Sequence, residues 1–313
     1  MNRHAVVIVA GLLLATGLVS AAGLDASKVS PNALWVLHVD VEGVLGTQVG
    51  AYLLGRIEAE HYLHKLNEFI NFTGFDPRTD LYSVTLWGVG YSPSQGVAVI
   101  QGNWDAEKLI ALVAADGYQK STHKDHDVHS WTQNPEHAND DGVRWGSFWA
   151  EDVLLITQNQ QLLHAALDAL DANEKAAPQA AAPGAFLVVA AEDLQIPAAA
   201  KANSLKNITA ATIELGESQG TLFFKGSVTA TSETDGAEFR QMLNGMLAFA
   251  KMSLRQMSQS GQPEPAWAPL VNNVTIGGEG AVVKLSAEMA TANVISFIEA
   301  AEEAKQLEIK VEQ

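Results

Sequence analysis

Four times along this chain of 313 residues, two short apolar strands joined by a glycine-rich or polar turn are followed by an amphipathic helix. A hairpin buries one face of its sheet, and the helix that follows is placed to cover it, so this order restricts the fold to antiparallel sheet with helices laid on it. The first unit runs SVTLWGVG, GVAVIQG and DAEKLIALVAAD; the last runs NVTIGGEG, AVVKLSAEM and TANVISFIEAAEE. Between them lie VRWGSFWA, VLLITQ and QQLLHAALDAL, then TAATIEL, TLFFKGSVTAT and a helix from about Asp235 to Gln259. The outer two units share Val-Thr-(Leu/Ile)-x-Gly, at Val84 to Gly88 and at Val274 to Gly278.

The stretch DANEKAAPQAAAPG, residues 171 to 184, is rich in Ala and Pro and has no apolar period, which marks a linker. On each side the chain opens with an apolar strand, ALWVLHVDV at 33 to 41 and AFLVVAAEDL at 185 to 194. After the first comes a helical pattern from about Gly43 to Ile70. The expected fold is α+β: two similar domains, 23–172 and 185–313, joined by an Ala/Pro linker over 173–184. Each is expected to be an antiparallel sheet with helices packed on one face, built from duplicated ββα units.

Residues 1–22 read as a cleavable signal peptide. Arg3 and His4 precede an uncharged apolar run from Ala5 to Val19, and small residues then place cleavage near Ala21 or Ala22. The run is shorter than the roughly 20 apolar residues that span a bilayer, and no later stretch reaches that length. The expected location is secreted or periplasmic. The chain has no cysteine, which excludes disulfides, thiolate nucleophiles and Cys-based zinc sites. Removal of the leader takes the 19 basic residues to 18 against 36 acidic ones, a net charge of −18. Such a surface repels nucleic acid and anionic lipid and favours solubility.

The segment ALWVLHVDVEGVLG leading to GFDPRTDLYSVTLWG resembles uncharacterised exported bacterial proteins with repeated ββα segments. The resemblance extends over most of the chain after the leader and implies an envelope or extracellular location. It implies no activity and no site residues.

Candidate chemistry gathers in THKDHDVHSW, with His123, His126 and His129, followed by His137 and Asp140-Asp141. Imidazole is a common ligand for zinc and copper, and carboxylates complete such sites. Read as a hairpin, with a strand from Tyr118 to His123, a turn at Lys124 to Asp127 and a strand from Val128 to Thr132, the segment sets His123 and His129 on neighbouring strands. A shared face would let them hold one ion, with His126 reaching in from the tip. The alternative is a polar hairpin in solvent, and Lys124 favours it. GESQG, residues 216 to 220, has the spacing of a nucleophile elbow, but a strand follows where a helix is needed, and no His comes after His164. Ser218 therefore reads as a turn residue. Paired glycines at GVGYSPSQG and GGEGAV precede strands, not helices, so they do not form a phosphate loop. Trp145 and Trp149 share one strand face, which either stacks on a ligand or fills the core.

No catalytic set assembles from these residues. The leading expectation is an exported, non-enzymatic binding, scaffold or accessory protein, acting on an envelope or extracellular protein or ligand and needing no cofactor. The second is a zinc or copper protein using His123, His126 and His129. The third is a hydrolase of unfamiliar type.

Overall fold

The computed structural model describes residues 23–59, 62–114, 117–132, 142–174, 176, 181–194, 207–261, 265 and 267–300. The expected signal peptide, His137, Asp140-Asp141 and residues 175 and 177–180 of the expected linker lie outside the described residues. In the first half, β1 (Trp35–Asp40) leads through α1 (Val41–Leu45), α2 (Gln48–Ala59) and α3 (Tyr62–Thr73) to a hairpin of β2 (Leu81–Gly88) and β3 (Gly96–Gly102). Then come α4 (Ala106–Val113), a hairpin of β4 (Gln119–His123) and β5 (His126–Thr132), a hairpin of β6 (Val143–Ala150) and β7 (Val153–Thr157), and α5 (Gln160–Asp171). The second half holds β8 (Ala185–Glu192), β9 (Ile208–Ser218), β10 (Thr221–Ala230), α6 (Glu233–Gln259), α7 (Ala268–Asn272), β11 (Thr275–Gly277), β12 (Val282–Ala290) and α8 over 291–300.

The fold is α+β, with all four expected hairpins antiparallel. The strands do not form two sheets. They form one sheet of twelve, in the order β11-β12-β10-β9-β8-β1-β2-β3-β7-β6-β5-β4. The cause is the pairing of the two opening strands, with Leu37 beside Val189 and Val39 beside Leu187. Each would otherwise end its own half in a row of free N–H and C=O groups. Outward from this seam the orders β1-β2-β3-β7-β6 and β8-β9-β10-β12-β11 match in connection. Among the described residues the hairpin β4–β5 has no counterpart strands in the second half. The shared Val-Thr corner does not fall at equivalent places, since Val84 to Gly88 lies in β2 and Thr275 to Gly277 in β11.

The helix expected from Gly43 to Ile70 is broken. Asp40 caps α1 through the Gly43 N–H at 2.8 Å, and Thr47 Oγ1 donates to the Val44 carbonyl at 2.6 Å. A Cβ on Gly50 would run into that same carbonyl, so the chain turns sharply between α1 and α2 only because glycine stands there.

Strand alternation distributes the core unevenly. On the face covered by α5, Val97, Val99, Val153 and Leu155 pack against Leu163, Ala166 and Leu167. Trp145 and Trp149 pack against this same cluster, so the Trp-bearing face is core and not an open stacking platform. Across the seam the same face turns polar, with Glu214, Lys225, Ser286 and Thr275 side by side on four strands. The apolar residues of the second half point to the opposite face, where Val283, Ala287 and Met289 are buried. There Arg240 of α6 donates to the carbonyls of Gly280 and Val282, at 2.8 and 2.7 Å. In the first half the opposite face is also covered in part, by rings in edge or tilted contact from Phe69 through Phe75 and Trp104 to Phe148. Helices on a single face were expected; the first half has them on both, because its strands carry apolar residues on both sides.

Leu163 is 0% exposed and Phe72 is 57% exposed. Leu163→Ala is expected to cost about 2–5 kcal/mol in urea denaturation, and Phe72→Ala to stay within roughly 0.5 kcal/mol of the wild type.

Candidate functional site

The hairpin β4–β5 turns through Lys124 and Asp125, with Lys124 at φ 53°. His123 pairs directly with His126 across this turn. The turn is shorter than the expected Lys124 to Asp127, which brings His126 out of the tip and into β5. His126 and His129 are three residues apart on one strand, so they lie on opposite faces. His123 and His126 face α5; His129 faces away.

His123 and His126 meet two carboxylates in the last turns of α5. His123 Nε2 lies 2.8 Å from Asp168 Oδ1, and Lys124 Nζ lies 2.7 Å from the same oxygen. His126 Nε2 lies 3.0 Å from both oxygens of Asp171, and Trp149 Nε1–H donates to Asp171 Oδ1 at 2.9 Å. The His123 and His164 rings stack at 4.0 Å, only 10° from parallel. Carboxylates near a helix C-terminus oppose the helix dipole, and the donors from the hairpin offset that repulsion. Hydrogen bonds from Lys124 and His123 hold the Asp168 carboxyl below its ordinary range. The Trp149 indole, then the His126 imidazole, do the same for Asp171. Desolvation, together with the neighbouring His123, pulls the His164 imidazole below 6.5.

His129 is buried at 5% exposure, shares a 2.8 Å hydrogen bond with the Tyr118 hydroxyl and is also lowered by desolvation. The three histidines therefore do not converge, and among the described residues no group of three or more His, Cys, Asp or Glu stands in a metal-holding arrangement. The cluster acts as a latch that ties the outermost hairpin to α5. His164, Asp168 and Asp171, at spacings of four and three, form one helical stripe. That spacing was the sequence signal for the latch, and attention to the hairpin alone missed it. Ser218 ends β9, and Gln219 and Gly220 form the turn with φ of 52° and 72°. It is a hairpin residue, as its context required.

A second feature has no single motif behind it. On the face away from α5, one row of paired residues crosses the sheet: Ile156, Ala98, Leu86, Leu37, Val189 and Ile213. It continues through Gly226 to Leu285 and Ile276. Beside it run Leu154, Ile100, Val84, Val39, Leu187, Leu215 and Phe224. The longer row spans nine strands, roughly 40 Å at the spacing of paired strands. Every one of these side chains and Gly226 keeps some solvent exposure, and Ile213 reaches 38%. Partly exposed apolar faces of this extent are a common feature of interaction surfaces. By contrast, the polar face of the second half forms a shallow concavity of about 550 Å³ lined by Thr212, Glu214, Lys225 and Lys284.

No family model matches the chain, and no curated protein matches it. Among solved structures it is similar to three crystal forms of TP0453. Crystal form III gives a TM-score of 0.48 at 12% identity, over 89% of this chain and 99% of that one. Crystal form I gives 0.46 at 12% identity, over 89% and 98%. Crystal form IV gives 0.45 at 12% identity, over 88% and 97%.

His129 and the latch residue His164 set a pH dependence. His129 and His164 have folded pKa values below the unfolded value of 6.5, so their contribution is complete above that pH and is lost as pH falls through the folded values. Asp168 and Asp171, lowered below 3.8, keep their contribution until stronger acid. The melting temperature is expected to hold above about pH 7 and to decline below about 6.5, with a shallower decline in His164→Gln. An equal slope in that variant would remove His164 as a cause. Separately, Asp168→Asn is expected to speed amide hydrogen exchange in residues 119–132 while leaving β1 and β8 protected.

Proposed function

We propose that this chain is an exported, non-enzymatic binding protein that holds an elongated apolar ligand, of the acyl-chain type, on the partly covered apolar face of its sheet away from α5. The observation that carries the reading is the pair of apolar rows crossing the seam between the two halves, partly exposed along their length. Water at such a surface is displaced favourably, by about 25 cal/mol for each Å² of apolar area covered. Two parallel rows suit a long, flexible, apolar molecule better than a compact polar one. The charge of −17 disfavours nucleic acid and sets no barrier to a neutral ligand.

Further support comes from the histidine latch. Its imidazoles and carboxylates are engaged with one another, which suits a structural role better than proton transfer. The leader-like first 22 residues and the absence of cysteine fit export to the envelope or beyond. The matching strand order on either side of the seam supports duplication of an ancestral ββα pair. In that reading the ligand face is a product of the duplication, because each half contributes one side of it.

The test uses N-phenyl-1-naphthylamine, a neutral dye whose emission rises in apolar surroundings. The wild type is expected to bind it, and Ile213→Glu to weaken binding at least tenfold without loss of far-ultraviolet circular dichroism. Leu112→Glu, at an equally exposed position on α4 (42% against 38%), is expected to bind as the wild type does. Equal affinity in Ile213→Glu would sink the assignment of the ligand to this face.

A further inference from the structure

The 27-residue helix α6 buries one side and leaves the other apolar. Gly236 and Leu254 are buried against the sheet, and a Cβ on Gly236 would meet the Gly280 carbonyl and Ala281. On the outer side stand Met242, Met246, Phe249 and Met252, exposed by 39%, 63%, 66% and 55%. Their spacings of four, three and three keep them in one stripe. Within the stripe lies Gly245, whose missing Cβ would meet nothing within 4 Å. Contiguous exposure of large apolar side chains is characteristic of an interaction surface.

The charges on the same helix are segregated. Its first two turns carry Glu233, Asp235 and Glu238, and from Phe239 to Gln259 it carries Arg240, Lys251 and Arg255 with no acidic residue. Arg240 is engaged with the carbonyls of Gly280 and Val282. Glu238 and Arg255 are solvent-exposed, and neither makes an ion pair within its own chain among the described residues.

We infer that α6 is a homodimer interface, pairing antiparallel with α6 of a second copy about a two-fold axis near Met246. An isologous contact needs a surface complementary to itself. This helix has one, because reversing its direction sets an acidic end against a basic end. With the axis at that point, Met242 of one copy lies beside Phe249 of the other, and Glu238 beside Arg255. Gly245 sits next to the axis, where absence of a side chain lets two helices approach closely. The flexible methionines fill the irregular gaps of such a seam. A flat anionic lipid surface fits less well, because the chain as a whole carries −17 and would be repelled at long range. The apolar seam runs from Met242 to Met252, about 15 Å at 1.5 Å per residue. So short a seam belongs to the weak end of specific interfaces, with a dissociation constant on the order of 10 µM.

Sedimentation equilibrium of the whole protein from about 1 to 200 µM reads the association directly, across a range that brackets the expected constant. A monomer–dimer equilibrium is expected, with Phe249→Glu monomeric throughout. Glu238→Arg is expected to weaken the dimer at least fivefold, and adding Arg255→Glu to restore it to within about threefold of the wild type. Because the chain has no cysteine, a single Met246→Cys reports geometry without background. Under mild oxidation it is expected to give a disulfide-linked dimer, whereas Leu112→Cys on α4 is not. A wild type that stays monomeric at the highest concentration overturns the inference. So does a Phe249→Glu dimer of unchanged affinity. Flotation of monomeric protein with phosphatidylcholine vesicles, abolished by Phe249→Glu, would assign the stripe to a lipid surface instead.

Discussion

The pairing of β1 with β8 is the contact on which the rest of the architecture depends. It joins the first strand of each half along a shared ladder, Trp35 beside Ala191 and Val39 beside Leu187. On one side of that ladder His38 and Val188 lie next to each other, both buried, with His38 Nδ1 2.9 Å from Thr85 Oγ1. On the other side Leu37 and Val189 continue an apolar row from one half into the next. If the ladder were broken, each half would keep its hairpins and lose the continuity of that row. Fold and candidate binding surface thus rest on the same set of backbone hydrogen bonds.

The two halves solve the burial problem differently. Strands of the first half are apolar on both faces, and α5 covers one while the aromatic chain from Phe69 to Phe148 closes part of the other. Strands of the second half are amphipathic, so one face meets water through Glu214, Lys225 and Lys284. The excess of carboxylates over basic groups therefore coexists with a large apolar area, because charge and grease occupy separate faces.

Much of this was legible in the chain. The four hairpins, the helices after them and the turn at Ser218 followed from short apolar runs and turn residues, which are local signals. The seam was not, because β1 and β8 both read as plain apolar runs, and nothing local says which distant edge a strand will meet. The break after α1 depended on Thr47 and Gly50 acting on the Val44 carbonyl, a contact invisible to periodicity. The histidines show how sensitive a site is to register. Shortening the turn from Lys124–Asp127 to Lys124–Asp125 draws His126 from the tip into β5 opposite His123, and the odd offset between paired positions places His129 on the other face. It set His129 against Tyr118 and Phe148, away from His123 and His126. The apolar rows were beyond sequence reading for the same reason, as each needs six or more strands in register.

The ends of the sheet have a consequence of their own. One outermost strand, β4, carries Lys120 beside exposed polar residues and turns at Lys124, and the other, β11, is three residues long and runs into Gly278. Neither margin offers a long bare backbone for another strand to zip onto. The ladder is capped at both sides, so molecules packed at high concentration in a crowded compartment are guarded against filament growth, and recognition is left to the broad faces.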